Sequence, residues 1–119
     1  MGMHNFRELK VWQKSFALVK DVYLVTRQFP KEEMYGLNNP IRRCSVSIPS
    51  NIAEGCGRGT GKQLAQFLDI VHGSSCELET QIMLGKELGF INENNLNELI
   101  FKIHEIQKMI IGFKNSLKL

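Results

Sequence analysis

Strand and hairpin signals are almost missing from this 119-residue chain. It contains no Asn-Gly or Asp-Gly pair and no period-2 apolar run of useful length. That excludes a sheet-based fold. No apolar run approaches the ~18 residues that a membrane span needs, so no membrane partner is expected. No basic-then-apolar leader opens the chain, so nothing argues for export. Cysteine is sparse and odd in number. Cys44, Cys56 and Cys76 form no C-x-x-C pair, which excludes a disulfide frame and suits buried thiols in a reducing cytoplasm. Aromatic residues make up 8% and half of them fall in apolar stripes, leaving few free to stack on bases.

Helical periods fill the space that these absences leave. Residues 1–5 read as a tail, with Met1-Gly2 a remnant ahead of Met3. Residues 6–119 read as one domain by length. Segment one is predicted over Phe6 to Phe29, with Asn5 as its cap and Glu8 at a capping-box spacing. Its first apolar stripe is Leu9, Trp12, Phe16, Val19 and Tyr23; its second is Val11, Leu18, Val22, Val25 and Phe29. Together they cover roughly 200°, whereas a helix facing its own core needs little more than ~100°. One stripe is therefore expected to meet another subunit, and the Val11, Leu18, Val22, Val25, Phe29 stripe is the candidate. Pro30 is expected to stop the helix.

Segment two is predicted from Glu33 or Asn39 to Gly55, with Asn39 as cap and Pro40 in the first turn. Leu37, Ile41, Cys44, Ile48 and Ile52 form a stripe that keeps its phase across Pro49. One helix kinked near Pro49 is therefore favoured over two short ones. Gly55 or Gly57 is expected to close it in the left-handed conformation. Thr60 and Gln63 then open segment three, about Lys62 to Leu88, whose small middle Gly73-Ser74-Ser75-Cys76 invites close helix approach. Segment four starts near Asn92 to Asn95. Leu96, Leu99, Ile103, Ile106, Ile110, Phe113 and Leu117 step 3, 4, 3, 4, 3, 4, the seam of near-parallel helix packing. The fold expected is all-α, an antiparallel up-down-up-down four-helix bundle.

The chemistry is spare. A Walker loop would need Gly at Cys56 and Ser or Thr at Gln63, and G-x-G-x-x-G from Gly55 fails at Thr60. Asp69-x-x-His72 is half of a di-iron motif, but His104 has Phe101 where the acid belongs. G-x-S-x-G fails at Glu77. No catalytic residue, metal or cofactor is assigned, and the chain is read as a non-enzyme. Glu54, Glu77 and Glu79 are instead candidates to pair with Arg42, Arg43 or Arg58, inside or between subunits.

Four blocks carry a resemblance: "FRELKVWQKSFALVKDVYLVTRQFP", "IRRCSVSIPSNIAEGCGRG", "FLDIVHGSSCELETQI" and "LGFI". Together they resemble the four-helix-bundle family whose best-known members are encoded in intervening sequences of bacterial 23S ribosomal RNA genes. Ser47 to Gly55 and Gly73 to Glu79 are the most specific stretches. The resemblance implies a ring-shaped homopentamer. Family relatives that accompany diversity-generating retroelements imply binding of nucleic acid and a reverse transcriptase.

Charge agrees with a polyanion partner. Residues 1–62 carry ten Lys/Arg and five Asp/Glu, a net +5, while residues 63–119 carry five and seven, a net −2. Lys10, Lys14, Arg42, Arg43, Arg58 and Lys62 are the candidate contacts to RNA or DNA. Arg42 and Arg43 point ~100° apart, so at least one is available for a structural bond within the bundle. Such binding would read phosphate rather than sequence. The competing reading is a protein-interaction scaffold without nucleic acid.

Overall fold

The computed structural model describes residues 5–119 and contains no strand among them. The expected tail, apart from Asn5, lies outside the described residues. The four long helices are α1 (Lys10–Thr26), α2 (Asn39–Cys56), α3 (Gly61–Glu87) and α4 (Glu93–Ser116). The helix starts follow local chemistry. The Thr60 hydroxyl accepts from the Gln63 N–H at 3.1 Å, and the Asn92 side-chain oxygen Oδ1 accepts from the Asn95 N–H at 2.7 Å. Each satisfies one of the donors that a helix N-terminus leaves bare.

Several boundaries differ from those expected. Asn5 caps a separate 3₁₀ turn, Phe6–Glu8, and α1 begins only after the extended Leu9. At its other end α1 stops at Thr26, ahead of Pro30, and turn bonds carry the chain to Phe29. A 3₁₀ turn (Lys31–Glu33) and a five-residue π turn (Met34–Asn38) lead into α2. Asn38, not Asn39, stands at the α2 cap position. Its side chain makes no cap bond and instead donates to Thr26 O at 3.0 Å. The α2 helix is continuous through Pro49. Gly57 closes it in the right-handed region (φ −81°), and Gly55 lies buried within the helix. A Cβ on Gly55 would sit 2.7 Å from Phe67 Cβ, so this glycine serves the close approach of α3. The left-handed glycine is Gly89 (φ 84°), just past the end of α3.

Contacts between neighbouring helices pair rising residue numbers with falling ones. Asp21 meets Lys102 and Lys14 meets Glu105 across α1–α4. Arg42 reaches Thr26 across α1–α2, Cys44 reaches Ser74 across α2–α3, and Asp69 meets Lys114 across α3–α4. Neighbours thus run in opposite directions, in the cyclic order α1, α2, α3, α4. One apolar cluster joins all four. Leu18, Val22, Ile41, Ile48, Ile52, Leu68, Val71, Leu78, Ile82, Ile103, Ile106 and Ile110 are almost wholly removed from solvent. The α4 seam of Leu99, Ile103, Ile106 and Ile110 is buried, with Leu96, Phe113 and Leu117 half-buried against it.

Candidate functional site

The two apolar stripes of segment one differ in burial, but in the reverse of the expected sense. Val11, Leu18, Val22 and Phe29 are buried inside the single chain, and Val25 packs half-buried against them. This stripe is core and cannot meet a second copy. The other stripe is the open one: Phe16 is 61% exposed and Tyr23 37% exposed. Pattern alone could not orient the helix, because both stripes are equally apolar. Which one turns inward depends on where α2 and α4 lie.

The open stripe forms one wall of a groove of about 600 Å³ between α1 and α2. Phe6, Trp12, Phe16, Val19 and Tyr23 line one side; Val46, Pro49, Ser50 and Ala53 line the other. The aromatic wall is ordered by its own contacts. Phe6 meets Trp12 edge-on at 5.2 Å between ring centroids, and Trp12 meets Phe16 at 4.9 Å. Lys20 is the one charged side chain on the groove lining.

Tyr23 is held at the groove's end by Arg42. The Arg42 guanidinium lies 4.4 Å from the Tyr23 ring centroid, donates from Nε to Thr26 Oγ1 at 2.8 Å, and donates from Nη2 to Tyr23 O at 3.4 Å. Thr26 Oγ1 in turn donates to Val22 O at 2.8 Å. A cation at the last turn of α1 also complements the helix dipole. Arg42 is therefore a clasp between α1 and α2, and its partner is a helix end rather than a bundle acid.

The other cationic candidates lie apart from it. Lys10 and Lys14 are exposed on α1, flanking a shallow hollow with Gln13 and Ala17, and Lys14 bridges Glu105 at 3.4 Å. Arg58 bridges Glu54 at 2.7 Å and lies over the Phe67 ring at 5.1 Å. Lys62 is exposed at the start of α3 and has no acidic partner among the described residues. Arg43 is exposed on a different face, between α2 and α3. The six candidates thus do not form one patch: Lys10, Lys14, Arg58 and Lys62 belong to one half of the bundle, and Arg42 and Arg43 to the other.

The α2–α3 face gathers the most specific sequence blocks. Arg43, Ser47, Asn51, Ser74, Glu77 and Gln81, with Pro40, Cys44 and Ile70, line a mixed groove of about 500 Å³ there. Beneath it the Cys44 thiol donates to Ser74 O at 3.2 Å. Burial, with the Glu77 carboxylate beside it, pushes that thiol up to about 12, so Cys44 stays protonated. Burial also raises the Cys56 thiol; all three cysteines are free, and Cys76 is exposed. Gly73 has open space around its Cβ position, so close packing in the small-residue stretch rests on buried Ser75.

Polar latches cross the α3–α4 side. Glu79 accepts from the His104 ring at 2.8 Å and from Gln107 at 3.1 Å, and the His104 bond draws its carboxyl below the usual range despite some opposing burial. Asp69 meets Lys114 at 2.6 Å, and Lys86 meets Glu93 at 3.6 Å. Of the three acids singled out in the sequence, Glu54 pairs with Arg58 and Glu79 pairs with His104. Glu77 has no charged partner among the described residues. Among the described residues no group of three or more His, Cys, Asp or Glu could hold a metal, and no helix is long and apolar enough to cross a membrane.

The family model described as 23S rRNA-intervening sequence protein matches residues 7–112. A solved structure from Bacteroides thetaiotaomicron, a protein of unknown function from the S23 ribosomal protein family, is similar in fold. The TM-score is 0.80 at 21% identity, covering 89% of this chain and 99% of that one. A comparison with curated proteins finds no match.

Proposed function

We propose a self-assembling, nucleic-acid-binding role, without catalysis, for this chain, which belongs to the 23S rRNA-intervening sequence protein family. The observation that carries assembly is the α1–α2 groove, an ordered aromatic wall left open to solvent. A contiguous apolar surface of this kind favours a partner over water. The opposite side of the bundle, formed by α3 and α4, projects Phe101 (71% exposed) and Ile111 (48% exposed). Contact between unlike patches on opposite sides of one chain is head-to-tail, and such contacts close into rings when the rotation permits. This supports a ring, with the pentamer implied by resemblance as its expected size.

The non-catalytic reading rests on how the reactive groups are used. Glu79 and His104 latch two helices, Glu54 is bridged, and the Cys44 thiol is held protonated. Three free cysteines fit a reducing cytoplasm as its setting.

Light scattering at micromolar concentration tests assembly. The expected mass is about five times the 13.6 kDa of one chain. A double variant, Phe16→Glu with Val46→Glu, should shift the mass to one chain while the helical circular dichroism is retained. A monomeric parent chain refutes assembly; a dimer refutes the ring. The second reading, a protein scaffold without nucleic acid, is favoured by the α2–α3 groove. There Arg43 and Glu77 both lack ionic partners among the described residues, and the buried Gln81 Oε1 accepts no hydrogen bond.

A further inference from the structure

Folding changes the meaning of the charge asymmetry. Because neighbouring helices run in opposite directions, halving each helix at its midpoint divides the bundle into two ends. The end formed by residues 5–18, 48–74 and 105–119 carries eight Lys/Arg and four Asp/Glu, a net +4. The other end carries seven and eight, a net −1. The gradient therefore runs along the bundle axis, which the N-terminal and C-terminal halves of the sequence do not show.

Ion pairing sharpens the contrast. Three of the four acids at the basic end are bridged: Glu54 by Arg58, Asp69 by Lys114 and Glu105 by Lys14. Arg7, Lys10, Lys62, Lys108 and Lys118 have no acidic partner among the described residues, and only Glu8 remains to oppose them. At the other end Glu32, Glu33, Glu77, Glu87 and Glu98 are unbridged, so the free cations there face as many free acids.

We infer that the tip of the basic end, with Arg7, Lys10, Lys62 and Lys118, is the surface that grips the sugar-phosphate backbone of a nucleic acid. These residues come from the 3₁₀ turn Phe6–Glu8, the start of α1, the start of α3 and the segment that follows α4. The fold brings the last two together: a Cβ on Gly61 would sit 3.3 Å from Leu119 Cδ2 and 3.7 Å from Lys118 O. The bundle measures 47 × 23 × 20 Å, so its end spans about 20 Å, the length over which B-form DNA presents about six phosphates per strand. Recognition there is by charge. Phe6 is half-buried, turned edge-on to Trp12 in the α1–α2 groove with the Arg7 guanidinium 5.0 Å from its ring centroid, so its ring is engaged within the chain. Leu119 is the only large apolar side chain exposed at the tip among the described residues, too little for the anchor cluster on which a protein partner would dock. This placement adds Arg7 and Lys118; it leaves out Arg42 and Arg43, which lie at the other end, and Lys14 and Arg58, which are bridged to acids.

The inference rests on the nucleic-acid reading above, and one experiment separates their failures. Fluorescent duplex DNA of ~20 base pairs and a stem-loop RNA are titrated by anisotropy at ~50 and ~200 mM salt. The proteins are the parent chain, a tip triple (Lys10→Gln, Lys62→Gln, Lys118→Gln) and an opposite-end triple (Arg27→Gln, Lys31→Gln, Arg43→Gln). Both triples remove three charges, so net charge is matched. Three lost phosphate contacts should lower the salt slope by about 2.7, so that over this fourfold salt range the parent loses ~40-fold more affinity than the tip triple. The opposite-end triple should keep the parent slope within about one unit. Equal loss in both triples, or loss only in the opposite-end triple, overturns the tip while leaving nucleic-acid binding intact. No binding by the parent oligomer at ~50 mM salt overturns both.

Discussion

The α1–α2 side and the α3–α4 side of the bundle are finished differently. Across α3–α4, Asp69–Lys114, Glu79–His104 and Lys86–Glu93 close the seam with polar latches along its length. Across α1–α2, cross-helix polar contact is concentrated at one end, where Asn38 and Arg42 hold the last turn of α1. Beyond that clasp, aromatic and aliphatic side chains stand open. A seam latched by ion pairs needs no partner to close it, even though Phe101 and Ile111 stand exposed on that side. One lined by Trp12, Phe16, Tyr23 and Val46 gains by being covered. The difference supports the proposal that the α1–α2 side serves assembly, and each substitution below tests part of the contrast.

The largest effect should separate the inward and outward faces of α1. Leu18 is 1% exposed and packs in the common core. Leu18→Ala should cost about 2–5 kcal/mol, since it removes buried methyl groups and leaves a cavity. Phe16→Ala should cost under about 1 kcal/mol in a dissociated chain, because its ring is already mostly in solvent. Urea unfolding at low protein concentration measures both. Similar losses at the two positions would show that the open stripe belongs to the core after all.

Helix content and the α4 seam are legible in the sequence because they depend on local periodicity. Four segments with apolar residues at three- and four-residue steps cannot bury their faces as strands. The facing of α1 is not legible, because Val22 and Tyr23 are neighbours on two equally apolar stripes and only tertiary packing chooses between them. The same limit applies to Arg42. Its pairing with Thr26 crosses a turn whose π geometry has no sharp sequence signature. Gly55 stands where a helix-closing glycine is expected, yet it does not close the helix. Glycine also admits close neighbours, and here Phe67 lies against it. Among the basic residues, Lys10 and Lys62 stand out in the charge balance of the N-terminal half. Lys118 lies in the acidic half of the sequence and joins them only through the fold.

The Arg42 clasp should be worth less than the core. Arg42→Ala removes a charge-assisted bond to Thr26, a bond to a helix-end carbonyl and the contact with the Tyr23 ring. In a half-exposed setting that amounts to about 1–2 kcal/mol. Arg42→Lys should rescue little, because a single ammonium cannot reproduce the two-point grip on Thr26 and Tyr23 while stacking on the ring. Urea midpoints of the parent and both variants decide it. Full rescue by lysine would reduce the clasp to simple charge.

The smallest effect belongs to the α3–α4 latch, and pH reveals its sign. The His104 bond draws the Glu79 carboxyl below its ordinary range, with burial opposing and Gln107 assisting. A carboxylate whose folded pKa is depressed adds stability above its unfolded value, about 4.3 for glutamate, and that contribution is lost as pH falls through the lower folded value. Because the His104 side chain is half-exposed, solvent screening keeps the contribution under about 1 kcal/mol. Glu79→Gln should therefore be slightly less stable than the parent near about pH 6, with the gap closing as pH falls below about 4. Urea unfolding of the two proteins across that range measures it. Adding His104→Ala to Glu79→Gln should cost less than His104→Ala does in the parent, since the two changes share the His104–Glu79 bond. A gap that widens at low pH would mean that Glu79 is stabilised in its neutral form, and the latch would have to be redrawn with the proton on the carboxyl.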